Sequence, residues 1–371
     1  MTKKSITARV VLRGMTWDHP RGVDGLRATD PLLIEHHRVT IDWAARSRLA
    51  FGDQHVADFA ADIDLMIIDH PHVPDAVEAG ALLPLDGSAG LDALERESVG
   101  RSHDRYHYRG SQWALGIDAA AQVSAFRPDQ TDSAPSKPVD AFSTFATLLA
   151  QHGAPSAQPG RVLTLAVAGE VLELMFELAD AVPKWCADAN PIDVAEALVA
   201  DNDYSVGVAL FGYTTYSRTG FRPHELACDD ISSFDGRAGG STLGGAGIAV
   251  RRPLDIRSWR SPQRPCSQRP CSPGARCRSA PIGPNSARGG QPGNPRVWRS
   301  DRANEMTHGF FRNTLRTLER AWVRAPVVGW PDLQLALSHL VRDAILARRV
   351  DETTLDHLES LAAAHLTEEV A

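Results

Sequence analysis

The first third of the chain alternates between two hydrophobic patterns. The segments "ARVVLRGMTW", "VTIDWAAR" and "IDLMIIDH" are apolar and β-rich, and the last is a continuous run typical of a buried parallel strand. Between them, "GLRATDPLLIEHH" and "FGDQHVADFAAD" have helical spacing, and "PDAVEAGALLPLD" predicts a helix followed by a turn. This β-α-β-α-β order predicts a parallel sheet with right-handed crossovers.

The middle of the chain continues the mixed pattern. We predict a hairpin around Arg109 and Gly110, a strand containing Trp113, a loop at Ile117–Asp118 and a further strand from Gln122. Helices are predicted at "GEVLELMFELADAV" and "NPIDVAEALVADN", and strands at "YSVGVALFGYTTYSR" and at the end of "GGSTLGGAGIAV". The last phrase lacks the G-x-x-x-x-G-K pattern, so it is weak evidence for a phosphate site.

An Asp-His-Pro phrase occurs twice, in "MTWDHPRG" and "IIDHPHVP", each time after a predicted strand. Ligands of open α/β sheets bind beyond the carboxyl ends of the strands. We therefore expect one rim to carry Trp17, Asp18, His19, Asp69, His70 and His72. The alternative is ordinary turn chemistry, in which the aspartate caps the following helix.

Bulk properties narrow the class of protein. The formal net charge of -7 and the pI of about 6.1 argue against a nucleic-acid partner. No run of 18 apolar residues occurs, and the apolar part of "MTKKSITARVVLRG" is too short for a signal peptide. The chain as written is therefore expected to stay in the cytoplasm. Its five cysteines indicate no disulfide framework.

Several phrases together resemble one branch of the extracellular solute-binding proteins of ABC importers, of the carbohydrate-binding type. They are "LRGMTWDHPRG", "DLMIIDHPHV", "GSQWALGIDAAAQVSAFRPD", "FGYTTYSRTGFRPH", "GSTLGGAGIAV", "GGQPGN" and "GFFRNTLRTLERAWVR". The resemblance covers most of residues 9–250 and 289–350.

The resemblance implies an α/β, two-lobed periplasmic-binding-protein-like fold of type II, with lobes joined by crossing hinge strands. The first lobe would comprise residues 1–118 and 246–300, the second 119–245, and a C-terminal helical segment 301–371 would pack on both. It implies an extracytoplasmic, monomeric receptor that delivers a solute to a membrane permease. It implies no catalysis, cofactor or metal.

A sugar or polyol site needs hydrogen-bonding groups for hydroxyls and aromatic faces for C–H surfaces. The predicted acceptors are Asp18, Asp69 and Asp118, and the predicted donors are His19, His70 and Gln122. The predicted aromatic platforms are Trp17, Trp113, Tyr213, Tyr216 and Trp298, and Gly244 and Gly245 complete the set. We expect Asp69 to be solvated when the cleft is open.

Two other functions stay open at this point. A metal-dependent hydrolase would use His19, Asp69, His70 and His72, although no H-E-x-x-H motif occurs. A degenerate, non-functional product is the other alternative, because the segment 252–288 has an unusual composition.

That segment belongs to a longer stretch, residues 256–300, which contains no Asp or Glu and three of the five cysteines. We interpret 252–288 as read in a shifted frame and expect it to lack regular structure. A basic linker or a nucleic-acid-binding tract are the alternatives. The segment "QTDSAPSKPVDAF" also looks shorter than in the family.

Overall fold

The computed structural model describes residues 10–88, 90–129, 135–136, 141–152, 167–200, 203–231, 240–252 and 290–364. The segment 252–288, apart from its first residue, lies outside the described residues, as does most of "QTDSAPSKPVDAF". The expectations about a shifted frame and irregular structure there stay predictions.

Strands occur along most of the chain and are numbered here in chain order. They are β1 (Val10–Trp17), β2 (Val39–Arg46), β3 (Leu65–Ile68), β4 (His107–Tyr108), β5 (Ser111–Gln112), β6 (Ala114–Phe126), β7 (Pro135–Ser136), β8 (Val206–Phe211), β9 (Ala227–Asp229) and β10 (Leu243–Val250).

Helices alternate with these strands, and the described elements after β10 are all helices. They are α1 (Pro20–Arg27), α2 (Asp30–His37), α3 (Arg48–Asp53), α4 (Val73–Glu78), α5 (Leu91–Arg96), α6 (Ala141–Gln151), α7 (Ala168–Asp180), α8 (Pro191–Ala200), α9 (Pro295–Trp298), α10 (Asp301–Glu305), α11 (Phe310–Glu319), α12 (Trp330–Ala347) and α13 (Glu352–Ala364). None of the helices in the described ranges is long and apolar enough to cross a membrane.

The first lobe is built on the predicted parallel unit. β1 pairs in parallel with β2 along its whole length and with β3 at Gly14 and Met15. The sheet order is β2-β1-β3-β10-β6 before it continues into the second lobe. The prediction that the two Asp-His-Pro phrases follow adjacent parallel strands is therefore confirmed. Only the segment "FGDQHVADFAAD" differs, because it forms the end of α3 and two short 3₁₀ turns rather than one helix.

Both Asp-His-Pro phrases start helical structure through a side-chain cap. His19 Nδ1 accepts from the backbone N–H of Arg21 at 3.1 Å, with Pro20 in the first turn of α1. Asp69 Oδ1 accepts from the backbone N–H of His70 at 2.8 Å, which starts the 3₁₀ turn His70–His72 before α4. Turn chemistry thus explains part of each motif, but the cap of α1 is the histidine and not Asp18.

The strand β6 connects the two lobes. Its residues 114–121 pair with β10, and its residues 122–126 pair with β8 and β9. The predicted loop at Ile117–Asp118 is wrong, because the chain stays extended there. Gly116 is needed in that strand, since a Cβ atom would stand 2.1 Å from the carbonyl oxygen of Ser102. Gly116 therefore allows two backbone segments to pack closely within an extended strand.

The second lobe has two hydrophobic clusters. One joins β6, β8, α8 and α11 around Leu198, Leu210 and Phe310, and the other joins α6, α7, α12 and α13 around Phe142, Trp330 and Leu337. The helices after residue 300 therefore pack mainly on this half of the molecule. The predicted lobe boundaries, 1–118 with 246–300 and 119–245, stay a prediction.

Candidate functional site

A cavity of about 280 Å³ lies where the two lobes meet the crossing strands. Six of the thirteen residues predicted from the sequence line it, namely Trp17, Asp69, Asp118, Tyr213, Gly244 and Gly245. β1 and the second Asp-His-Pro phrase supply the first-lobe wall, and the loop after β8 supplies the opposite wall. β6 and β10 form the floor between them.

The other seven predicted residues are not part of this lining, for three different reasons. Asp18 is exposed, although Trp17 beside it lines the cavity. His19 and His70 are buried next to lining residues. His19 packs edge-on against Tyr213 at 4.9 Å between ring centroids, and His70 bonds Asp69. His19 and His70 therefore contact the lining residues Tyr213 and Asp69 without lining the cavity themselves.

Trp113, Gln122, Tyr216 and Trp298 lie in the core. The indoles of Trp113 and Trp298 donate to the carbonyl oxygens of Tyr108 and Pro292, both at 2.8 Å. The Gln122 side chain accepts from Thr147 Oγ1 at 2.5 Å, and Tyr216 donates to Glu196 at 2.8 Å. A buried polar tip with a satisfied partner explains each of these side chains without a ligand.

Asp118 is paired with an arginine that the sequence argument passed over. Arg21 Nε donates to Asp118 Oδ1 at 3.0 Å, Arg21 Nη2 donates to Oδ2, and both side chains are almost fully buried. Arg21 Nη1 also donates to the carbonyl oxygen of Gly212 at 3.0 Å, and its guanidinium lies 4.4 Å from the Tyr213 ring centroid. Arg21 therefore ties the first lobe to β6 and to the loop after β8.

Asp69 is held by a second arginine from far along the chain. Arg324 Nη2 donates to Asp69 Oδ2 at 2.7 Å, and His70 Nδ1 lies 3.0 Å from Oδ1. Burial raises the pKa of Asp69, but Arg324 and the His70 hydrogen bond outweigh burial and hold this pKa below its ordinary value. The Asp69 side chain is 18% exposed. We therefore find a paired carboxylate where the sequence led us to expect a solvated one.

His70 and His72 are buried and uncharged at neutral pH. Desolvation is the main cause that lowers the pKa of His70 to about 3 and that of His72 to about 4. His72 Nε2 lies 2.9 Å from the carbonyl oxygen of Gly52, so Nε2 carries the proton and Nδ1 is an acceptor. By the same logic, the bond to Asp69 places the proton of His70 on Nδ1.

The hydrolase alternative needs histidine nitrogens that are free to bind a metal, and hydrogen bonds already occupy one nitrogen of each histidine it would use. His19 caps a helix, His70 bonds Asp69, and His72 bonds a carbonyl. Across the described ranges, no three His, Cys, Asp or Glu side chains stand close enough together to hold a metal ion. The residues therefore do not make a metal site in this arrangement.

Aromatic faces line both sides of the cavity. Trp17 and Phe51 stand on the first-lobe side with ring centroids 5.0 Å apart, and Phe211 and Tyr213 stand opposite. Trp330 of α12 also lines the cavity. Such faces cover C–H surface, while the paired charges present hydrogen-bonding edges.

Sequence reasoning missed Arg21, Arg324 and the lining face of α12, which carries Trp330, Gln334 and Ser338. Arg21 stands inside "WDHPRG" directly after the motif, so its position there was a usable signal. Arg324 carried no such signal in the sequence, because its contact with Asp69 joins residues 255 positions apart. The lining face of α12 carried none either, because its place at the cavity depends on how the helix packs.

The buried histidines predict acid sensitivity. An unfolded chain binds protons on histidine below about pH 6.5, while His70 and His72 in the folded protein resist protonation down to about pH 3 and about pH 4. Stability should therefore fall as the pH decreases from about 6.5 to about 4, by roughly 2 kcal/mol per histidine at pH 5.

Urea unfolding between pH 8 and pH 5 measures this loss. His72→Gln should reduce the pH dependence, because the glutamine amide keeps a donor for Gly52 and does not titrate. The same substitution at exposed His36 is the control. Equal pH dependence in the wild type and His72→Gln would contradict the assignment.

The sequence matches no protein-family model, and a search of curated proteins gave no match. Solved structures do match over nearly the whole chain. Maltose-bound MalE3 from T. maritima has a TM-score of 0.69 at 12% identity, covering 96% of this chain and 98% of that chain.

Two further structures are similar to the same degree. An ABC transporter solute-binding protein from Agrobacterium radiobacter K84 in complex with ribitol has a TM-score of 0.71 at 13% identity, over 96% of this chain and 98% of that one. One from Thermotoga lettingae TMO bound with α-D-tagatose has a TM-score of 0.70 at 12% identity, over 96% and 100%. The chain therefore has the two-lobed α/β periplasmic-binding-protein fold of type II, with its lobes joined by crossing strands.

Proposed function

We propose that the protein is the solute-binding receptor of an ABC importer and captures a sugar or polyol between its lobes without transforming it. The observation that carries this proposal is the cavity at the crossing strands, lined by aromatic faces and by hydrogen-bonded charged groups. The structural neighbours support it, because three of them hold maltose, ribitol and tagatose. A permease in the membrane would receive the solute, and the receptor would act outside the cytoplasm as a monomer.

The size of the cavity favours a small solute. Pockets for drug-sized ligands measure about 300–1,000 Å³, and the cavity here measures about 280 Å³. A monosaccharide or a linear polyol fits this space better than a long oligosaccharide. The residues we propose for contact are the six predicted residues that line the cavity, together with Arg324 and Trp330.

Titration calorimetry against a panel of monosaccharides, sugar acids, polyols and maltose tests the proposal. We expect at least one member to bind with a dissociation constant in the micromolar range, which corresponds to about -8 kcal/mol. Product analysis after prolonged incubation should recover that compound unchanged. A panel without any binder, or conversion of the bound compound, would contradict the proposal.

Tyr213→Ala should weaken solute binding about tenfold. The substitution removes an aromatic face from the cavity wall, and such a contact contributes about 0.5–1.5 kcal/mol beyond the buried area. Calorimetry with the bound panel member measures the loss. Tyr204→Ala is the matched control, because Tyr204 packs against Trp185 at 5.8 Å and is not part of the lining. Equal losses in both variants would argue against a contact at Tyr213.

A further inference from the structure

Four buried arginines line the cavity or lie next to its lining, and two of them are paired with an aspartate of the lining. Four arginines, Arg21, Arg46, Arg105 and Arg324, are between 4% and 9% exposed. Arg21 pairs with Asp118 and Arg324 pairs with Asp69. Within the described ranges, Arg46 and Arg105 make no ion pair, and the two buried histidines are neutral. Two guanidinium groups next to the cavity lining are therefore not held by an ion pair among the described residues.

Both unpaired arginines contact residues of the lining. Arg46 ends β2 opposite Trp17, and its guanidinium lies 5.4 Å from the ring centroid of Phe51. Arg105 donates to the carbonyl oxygens of Gly244 at 2.5 Å and Asp118 at 3.0 Å. Each charge thus stands directly behind the surface that a solute would touch.

Unused donors accompany this charge. Among the described residues, Arg46 Nε and Nη2, Arg105 Nε and Arg324 Nε are buried and donate no hydrogen bond. Leaving a buried charged group without a partner is costly, and burial lowers the pKa of Arg46 to about 10 for the same reason. An anionic solute in the cavity offsets this cost, whereas a neutral solute leaves it in place.

One unused acceptor stands on the same wall. His72 lines the cavity, and its Nε2 carries the proton toward Gly52. No group in the described part of the chain donates to its buried Nδ1. An acceptor of this kind takes a hydroxyl group. The site therefore offers an arginine donor in the lining, two arginines without an ion pair behind it, and a separate acceptor for O–H.

Resting on the proposed function, we propose that the solute is a sugar acid, a monosaccharide-sized compound with one carboxylate and several hydroxyl groups. Arg324 Nε donates to the carboxylate, and Arg46 and Arg105 stabilise its charge from behind the lining. His72 Nδ1 accepts from a hydroxyl group. The carboxylate thus supplies a negative charge close to the two arginines that make no ion pair.

Calorimetry with matched pairs tests this ligand class. The pairs are D-galacturonate with D-galactose, D-glucuronate with D-glucose, and D-ribonate with ribitol. We expect at least one acid to bind ten or more times tighter than its neutral counterpart. Its affinity should fall severalfold between about 0.05 M and about 0.5 M salt, because salt screens the charge that recognises it.

The outcomes separate the two proposals. A neutral member that binds as tightly as its acid overturns the sugar-acid inference and leaves the receptor function intact. Binding of no member in any pair, or elsewhere in the panel, overturns the receptor function itself. The salt dependence uses the wild-type protein and so does not depend on whether a variant folds.

Arg46→Gln adds a residue-specific readout. We expect it to reduce the acid-to-neutral affinity ratio about tenfold while the neutral affinity changes little. Arg302→Gln is the control, because Arg302 is an exposed arginine on α10. Thermal unfolding establishes that each variant is folded. A folded Arg46→Gln protein with an unchanged ratio would overturn the role of this charge in ligand recognition.

Discussion

Asp118→Ala should lower the free energy of unfolding by about 3–5 kcal/mol, because it leaves the Arg21 guanidinium buried without a counter-charge. Burial alone would lower the pKa of Arg21, and Asp118 is the main reason that this pKa is instead raised. Urea unfolding at neutral pH measures the loss. The effect should be larger than for any exposed carboxylate, since water cannot replace the lost partner.

Two further variants identify the cause. Arg21→Met combined with Asp118→Leu removes both charges and should recover most of the lost stability, because a buried ion pair contributes little over apolar side chains of similar size. Asp18→Ala removes an exposed carboxylate and should change stability by less than about 0.5 kcal/mol. If the double variant is no more stable than Asp118→Ala, the unpaired charge is not the cause.

Gly245→Ala should cost about 2–4 kcal/mol of stability and abolish solute binding. Gly245 has a φ of +114°, and a Cβ atom there would stand 2.4 Å from the carbonyl oxygen of Asp118. Relief of this clash moves β10 away from β6, and both strands line the cavity. Thermal unfolding and calorimetry measure the two effects.

Gly110→Ala is the matched control for the backbone conformation. Gly110 has a φ of +77°, but a Cβ atom there would have open space around it. Its substitution should cost only about 1–2 kcal/mol of conformational strain and leave solute binding intact. Equal effects of the two substitutions would show that strain alone, and not the close approach of β6 and β10, decides the outcome at Gly245.

The strands that join the lobes also line the cavity. β6 contributes Asp118, and β10 contributes Gly244 and Gly245, to the lining. Arg21 bonds Asp118 on β6 and the carbonyl oxygen of Gly212 beyond β8. Under the proposed function, a solute in the cavity would contact the strands that join the lobes, and binding would be coupled to lobe closure.

The local pattern was sufficient for the parallel unit and for six residues of the lining. Periodicity identified β1, β2 and β3, and the strand order placed Trp17 and Asp69 on one edge of the sheet. Asp118 lines the cavity, although its prediction rested on a loop that is in fact the middle of β6. Its side chain reaches the cavity because β6 crosses between the lobes there.

The aromatic residues show why type and position do not decide function. Trp17 and Trp113 both stand at strand ends, yet Trp17 lines the cavity and Trp113 packs beside Tyr108 in the first-lobe core. Tyr213 and Tyr216 are three residues apart, and only Tyr213 lines the cavity. A single turn of chain rotates one ring inward and the other onto Glu196.

The sequence by itself determined the strand and helix order of the first lobe and the edge at which its motifs meet, because both depend on local periodicity and on strand direction. The tertiary structure alone decided which charges are paired. Arg324 reaches Asp69, and Arg21 reaches Asp118, across 255 and 97 positions of sequence. Among the described residues, it gave Arg46 and Arg105 beside the cavity no ion-pair partner. Such pairing depends on the distance between folded elements, and no pattern along the chain contains that distance.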